Sequence, residues 1–135
     1  LDVSRERHQQ AQVCLNYFLE SGIKLYTSSD IISTISYFLQ KRLAINEVVR
    51  NIDFIVQEIT VLSGDNNDFI ALNQLILESL KKNNLKIDYE ECMQLYLADK
   101  QGCDTVLTSD KHFCWGLSEL FNVKIFSLEE CTINV

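Results

Sequence analysis

The sequence predicts a helix-rich α/β domain in three layers, α/β/α, built on a parallel sheet of short strands. Three observations predict it. Segments with apolar residues at helical spacing alternate with apolar runs of only a few residues, the order that lays helices over both faces of a parallel sheet. Those short runs are bounded by turn chemistry, as strands buried on both faces are. A length of 135 residues with no linker, internal repeat or low-complexity tract fits one domain over residues 1–135, long enough to bury a core.

The elements follow in order. Ala11, Cys14, Leu15 and Phe18 mark a first helix, with Ser4 as its N-cap and Gly22 as its stop. Lys24 to Thr27 reads as a short strand. Ser28, Ser29 and Asp30 supply cap chemistry for a second helix with the stripe Ile31 or Ile32, Ile35, Phe38 and Leu39, which Lys41 and Arg42 close favourably against the helix dipole. A third helix carries Ile45, Val48, Val49, Ile52, Ile55 and Val56 and leads into a strand at Thr60 to Ser63. Gly64 to Asn67 is the strongest turn signal. A fourth helix follows with Phe69, Leu72, Ile76 and Leu80, then an acid-headed fifth from about Asp88 to Gln101, stopped by Gly102. Asp104 to Thr108 reads as a buried strand, Lys111 to Leu120 as a short helix and Val123 to Phe126 as a last strand.

Composition excludes several classes. With 47% hydrophobic and 23% charged residues the chain lies far from the disordered corner. No apolar run approaches the roughly 18 to 20 residues that span a bilayer, and the polar start LDVSRERHQQ does not resemble a signal peptide, so the expected location is cytoplasmic, without membrane contact. The five cysteines, Cys14, Cys92, Cys103, Cys114 and Cys131, show no CxxC or zinc spacing and read as free thiols serving as small hydrophobes. A net charge of -7 argues against a broad phosphate-binding surface. It does not exclude a metal-dependent nuclease, because a bound cation inverts the field that phosphate meets.

The candidate site lies between Asp88 and Phe113. Asp88 and Glu91 stand at capping-box spacing, and Asp110 could cap the helix that begins at Lys111. Their conjunction points further. A helix start and the C-terminal end of the neighbouring strand share one edge of a βαβ sheet, where open α/β folds place their chemistry. Glu91 and Asp110 are therefore expected to converge beside Thr108 and to hold Mg²⁺ or Mn²⁺, hard cations that prefer oxygen ligands. Such a cation can polarise a phosphodiester and activate water.

Other chemistries have less support. His8 and His112 fall in no metal or triad pattern, and His112 and Cys114, two residues apart on a helix, point to different faces. The four glycines form no phosphate loop. The aromatics Phe18, Tyr37, Phe38, Phe54, Phe69, Tyr96, Phe113 and Trp115 fall mostly on apolar stripes and are expected in the core rather than as base-stacking platforms.

With these residues in view the chain resembles a PIN domain of the VapC-like kind found in bacterial toxin–antitoxin pairs. The match is sharpest from Asp88 to Phe113: an acid-rich helix start, Ala98 one turn before Gly102, a hydrophobic strand, and Thr108-x-Asp110 before a phenylalanine. Tyr26-Thr27-Ser28 leading into TISYFLQKR, and the closing VKIFSLEE, are similar to further family segments. The resemblance implies a Mg²⁺- or Mn²⁺-dependent ribonuclease with RNA as substrate, an antitoxin protein as partner, and a homodimer. It carries the catalytic roles to Glu91, Asp110 and Thr108, with Glu91 and Asp110 as metal ligands.

Two features depart from the family pattern. PIN domains open with a strand ending in D-x-N, whose Asp is the principal metal ligand; here Leu1-Asp2-Val3 passes almost at once into helix, too close for Asp2 to take that part. The acid common in the second helix falls near Thr34, with Asp30 one turn earlier. In the family the opening strand is the centre of a five-stranded parallel sheet, and its loss would leave interior backbone groups unpaired at ~1–3 kcal/mol each. The sequence is therefore expected to be N-terminally incomplete, or its sheet rearranged, and as it stands to show weak or no nuclease activity unless the missing N-terminal acid is supplied. The alternative to a nuclease is a catalytically degenerate PIN-like module that binds protein or RNA. A receiver-like signalling domain ranks third, since the first half lacks a strand-end phosphoacceptor Asp.

Overall fold

A computed structural model describes residues 3–82, 87–108 and 120–127. Its elements run α1 (Val3–Glu20), β1 (Tyr26–Ser28), α2 (Ser29–Gln40), α3 (Ile45–Glu58), β2 (Thr60–Leu62), α4 (Asn66–Lys82), α5 (Tyr89–Gln101), β3 (Thr105–Thr108) and β4 (Lys124–Ser127). The helix-rich α/β class with short parallel strands is as the sequence predicts, and the element boundaries lie within a few residues of those expected. The helix expected over Lys111–Leu120 falls almost wholly outside the described residues, as do Ser109 and Asp110.

Local chemistry explains the boundaries. Ser28 ends β1 and caps α2, its hydroxyl accepting from the Ile31 N–H at 3.3 Å. Gly22 and Gly102 take positive φ, and each closes its helix with a paired reach-back: Gly22 N–H to Leu19 O and Ile23 N–H to Phe18 O, then Gly102 N–H to Asp99 O and Cys103 N–H to Ala98 O. Ser4 differs from expectation. The helix already begins at Val3, so Ser4 lies inside its first turn rather than at its cap.

The strands form two parallel ladders rather than one sheet among the described residues. β1 pairs with β2 (Tyr26 opposite Thr60, Ser28 opposite Leu62), and β3 with β4 (Thr105 opposite Lys124, Thr108 opposite Ser127). Helix α5 touches both β1 and β3. It contributes Cys92, Met93, Leu95 and Leu97 to the core, joined by Leu72 of α4 and by Phe121 and Val123 ahead of β4. Its buried residues, Ala98 included, are spread around the helix rather than along one stripe, as for a helix covered on several sides. Cys14 and Cys92 are buried cysteines outside any disulfide, as expected of small hydrophobes, while Cys103 is a half-buried one.

The helical stripes of α2 and α3 are less buried than their pattern suggests. Val48 is the buried residue of α3, whereas Tyr37, Phe38, Ile45, Val49 and Phe54 are exposed. This corrects the expectation that the aromatics of these helices fill the core. The periodicity marks an apolar face correctly, but α2 and α3 lean on each other and on β1 and β2 over only part of it.

Candidate functional site

Asp88 is the N-cap of α5, its Oδ1 accepting the Glu91 N–H at 3.0 Å. The D-x-x-E spacing therefore acts as the sequence reading expects of its cap. The bond fixes the backbone of Glu91 in the first turn of α5, with its side chain half-buried. Thr108 is the last residue of β3, half-buried and level with Ser127 of β4. The helix carrying Glu91 is followed in the chain by the strand carrying Thr108, and the two elements are in contact. Asp110, the other expected metal ligand, lies outside the described residues.

Asp30 is exposed in the first turn of α2. Thr34, where the family pattern has an acid, gives its hydroxyl to the Asp30 carbonyl at 3.0 Å, so it serves the helix backbone. Leu1 and Asp2 lie outside the described residues. Among the described residues no three His, Cys, Asp or Glu side chains come together as metal ligands. The donors that Glu91 and Thr108 contribute are oxygens, which suit a hard cation.

One charged cluster is absent from the sequence reading. Asp65 and Asp68 cap α4 reciprocally: the Asp65 N–H donates to Asp68 Oδ2 and the Asp68 N–H to Asp65 Oδ1, both at 2.9 Å. Asp68 is buried, and Lys100 Nζ of α5 reaches its Oδ1 at 2.7 Å. The Lys100 hydrogen bond, with the Asp65 N–H behind it, holds the Asp68 carboxyl below the ordinary carboxylate range, and Asp68 in turn raises Lys100. Burial, and then the Asp68 charge, push the Tyr96 phenol up. The signal was present in the sequence, because Asp65-x-x-Asp68 has the same spacing as Asp88-x-x-Glu91. Only the crossing of α4 and α5 brings Lys100 to it.

Two further contacts brace α5. Asp99 Oδ1 accepts the Asn122 N–H at 3.0 Å, tying the end of the helix to the segment before β4. Tyr89, the first residue of α5, donates its hydroxyl to Asn73 Oδ1 of α4 at 2.6 Å. Its ring lies parallel to that of Phe69, with centroids 6.5 Å apart. Both ends of α5 are thus held by polar bonds, and its middle by the core.

Comparison with known proteins agrees with this architecture. The chain is 26% identical over 112 residues to Ribonuclease VapC1 of Aquifex aeolicus (strain VF5), an alignment spanning 83% of this chain and 74% of that protein. It shares its fold with a chain in the crystal structure of VapBC2 from Rickettsia felis bound to a DNA fragment from their promoter, at a TM-score of 0.60 and 13% identity, over 84% of this chain and 80% of that one. The PIN-domain family model matches residues 1–112, taking in α1 to β3 and the acid-headed helix, and the chain belongs to the PIN domain family.

Proposed function

We propose that this chain is a Mg²⁺- or Mn²⁺-dependent ribonuclease, the toxin of a toxin–antitoxin pair, with Glu91 and Asp110 as metal ligands and catalytic acids and Thr108 as the accompanying hydroxyl. The observation that carries the reading is the fixed first turn of α5. Asp88 anchors the Glu91 backbone, and α5 packs on the strand that ends at Thr108. Family membership and the relative named as a ribonuclease support the same chemistry. A divalent cation bound there supplies charge neutralisation at the scissile phosphate and an activated water. Glu91 would contribute a carboxylate to hold it, and Thr108 a hydroxyl to orient the neighbouring oxygens.

The similarity to a chain solved within VapBC2 supports an antitoxin protein as partner. The exposed apolar residues Tyr37 and Phe38 of α2, and Ile45 and Val49 one turn apart on α3, are compatible with a protein contact, with an antitoxin or with a second copy. Among the described residues no helix is long and apolar enough to cross a membrane. Cytoplasmic action fits the proposed RNA substrate.

A second reading, a degenerate PIN module that binds without cutting, is favoured by Thr34, which spends its hydroxyl on a helix carbonyl near the position where the family pattern commonly has an acid. One experiment separates the readings. Cleavage of single-stranded RNA is measured with Mn²⁺, with Mg²⁺ and with chelator, for the wild type, Glu91→Gln and Asp110→Asn. The nuclease reading expects metal-stimulated cleavage that falls by about 100-fold or more in either variant, at least as much as losing a residue that merely supports a ligand. Cleavage indifferent to both substitutions overturns the assignment, and RNA binding without cleavage favours the degenerate module.

A further inference from the structure

We propose that Ser127 is a positioning residue for RNA cleavage, its hydroxyl orienting that of Thr108 toward the phosphate; the inference rests on the ribonuclease reading. In the β3–β4 ladder Thr108 stands opposite Ser127, two positions beyond Val106 opposite Ile125. Exposure alternates in the same sense along both strands. Val106, Thr108, Ile125 and Ser127 are half-buried, and the residues between them are exposed. Side chains two apart on a strand share a face, so these four line one face of the ladder. That face is turned toward α5, because Val106 and Ile125 pack against the core cluster to which α5 contributes Cys92, Met93, Leu95 and Leu97. Along it the ladder changes from an apolar pair in the core to a pair of hydroxyls at the C-terminal ends of both strands. Open α/β sheets bind their ligands at that edge.

Register and hydroxyl chemistry give Ser127 this part. Neighbouring strands lie about 4.8 Å apart, which brings hydroxyls of in-register residues on one face within reach of each other. A hydroxyl has one proton and two lone pairs, and it rotates to suit its partners. A neighbour that engages one of these fixes where the others point. Thr108 held in this way by Ser127 offers its remaining hydrogen-bonding capacity in one direction, which lowers the cost of meeting the transition state. Neither group is charged, so the pair adds no repulsion toward phosphate in a chain of net charge -7. The other ladder shows the contrast. Its last pair sets Ser28 opposite Leu62, and the Ser28 hydroxyl accepts from the Ile31 N–H as a helix cap. Among the described residues the in-register hydroxyl pair thus belongs to the ladder that carries Thr108.

The test is a double-mutant cycle on the full chain. Cleavage of single-stranded RNA in Mn²⁺ is followed for wild type, Ser127→Ala, Ser127→Thr, Thr108→Val and the Ser127→Ala/Thr108→Val double variant, with thermal melts to establish folding. The positioning role expects Ser127→Ala to lower kcat by about 3- to 10-fold, the worth of one hydrogen bond, with KM and melting temperature nearly unchanged. Ser127→Thr keeps a hydroxyl and should retain most of the rate. The double variant should be no slower than Thr108→Val alone, because Ser127 acts through Thr108. Losses that multiply in the double variant give Ser127 an independent part and overturn its positioning of Thr108. A slow Ser127→Ala that also melts lower and is not restored in Ser127→Thr assigns the residue to strand packing, which overturns the proposal as well. Equal kcat for wild type and folded Ser127→Ala overturns it and leaves the nuclease reading standing. Wild type without metal-stimulated cleavage overturns the nuclease reading, and the role of Ser127 with it.

Discussion

Lys100 Nζ lies 2.7 Å from Asp68 Oδ1, a bond that joins the last turn of α5 to the buried cap of α4. The two partners differ in surroundings, for Asp68 is buried and Lys100 largely exposed. Removing Lys100 leaves a buried carboxylate without its cation, whereas removing Asp68 frees an ammonium that water can solvate.

The pair sets an acid limit on stability. The folded-state carboxyl of Asp68 is lower than its unfolded value near 3.8, so its contribution is complete above that value and is lost as pH falls through the folded one. Lys100 is raised above 10.5, so its contribution is complete below that value and is lost as pH rises beyond it. Thermal melts from pH 2 to 7 should show a lower Tm for Lys100→Ala at neutral pH and a smaller loss on acidification than wild type, because the depression of Asp68 that Lys100 causes is gone. An acid limb unchanged in that variant would show that the pair does not govern it.

Thr108 separates hydroxyl chemistry from strand packing. Under the proposed mechanism Thr108→Val keeps the β-branched shape at the end of β3 and removes one hydrogen-bonding group, which should cost about tenfold in cleavage rate. Thr108→Ser should retain most of the rate. Equal rates for Val and Ser would remove Thr108 from the catalytic set.

The core and the exposed stripes should respond differently to truncation. Leu95 is fully buried within α5, and Leu95→Ala should cost about 3 kcal/mol in denaturant unfolding. Phe38→Ala and Phe54→Ala remove residues that are 58% and 64% exposed and should change stability by about 0.5 kcal/mol or less. A large loss in either Phe variant of the isolated chain would mean that its stripe is covered in solution.

Gly102 tests the stop of α5. Its φ of 84° lies in the left-handed region, and a Cβ there would meet no atom within 4 Å. Gly102→Ala therefore measures backbone strain without a clash, about 1 kcal/mol. Gly102→Asn should cost less, because Asn tolerates that conformation better. Unfolding curves that fail to rank the two in this order would point to a rearranged helix end.

Local chemistry was legible without coordinates. Ser28 and Asp88 as caps, Gly22 and Gly102 as stops, and the alternation of helices with short strands are each decided by residues within a few positions of one another, through hydrogen bonds and backbone sterics that need no distant partner. Motif spacing around Glu91 and Thr108 was enough to suggest the family. Tertiary structure decided the rest. Which apolar faces are covered depends on the packing of whole elements, so α5 is enclosed by both ladders while the aromatic residues of α2 stay exposed. Asp68 and Lys100 are 32 residues apart, and Phe69 and Tyr89 belong to different helices. Their meeting follows from the crossing of α4 and α5, a long-range geometry that residue spacing along the chain does not encode.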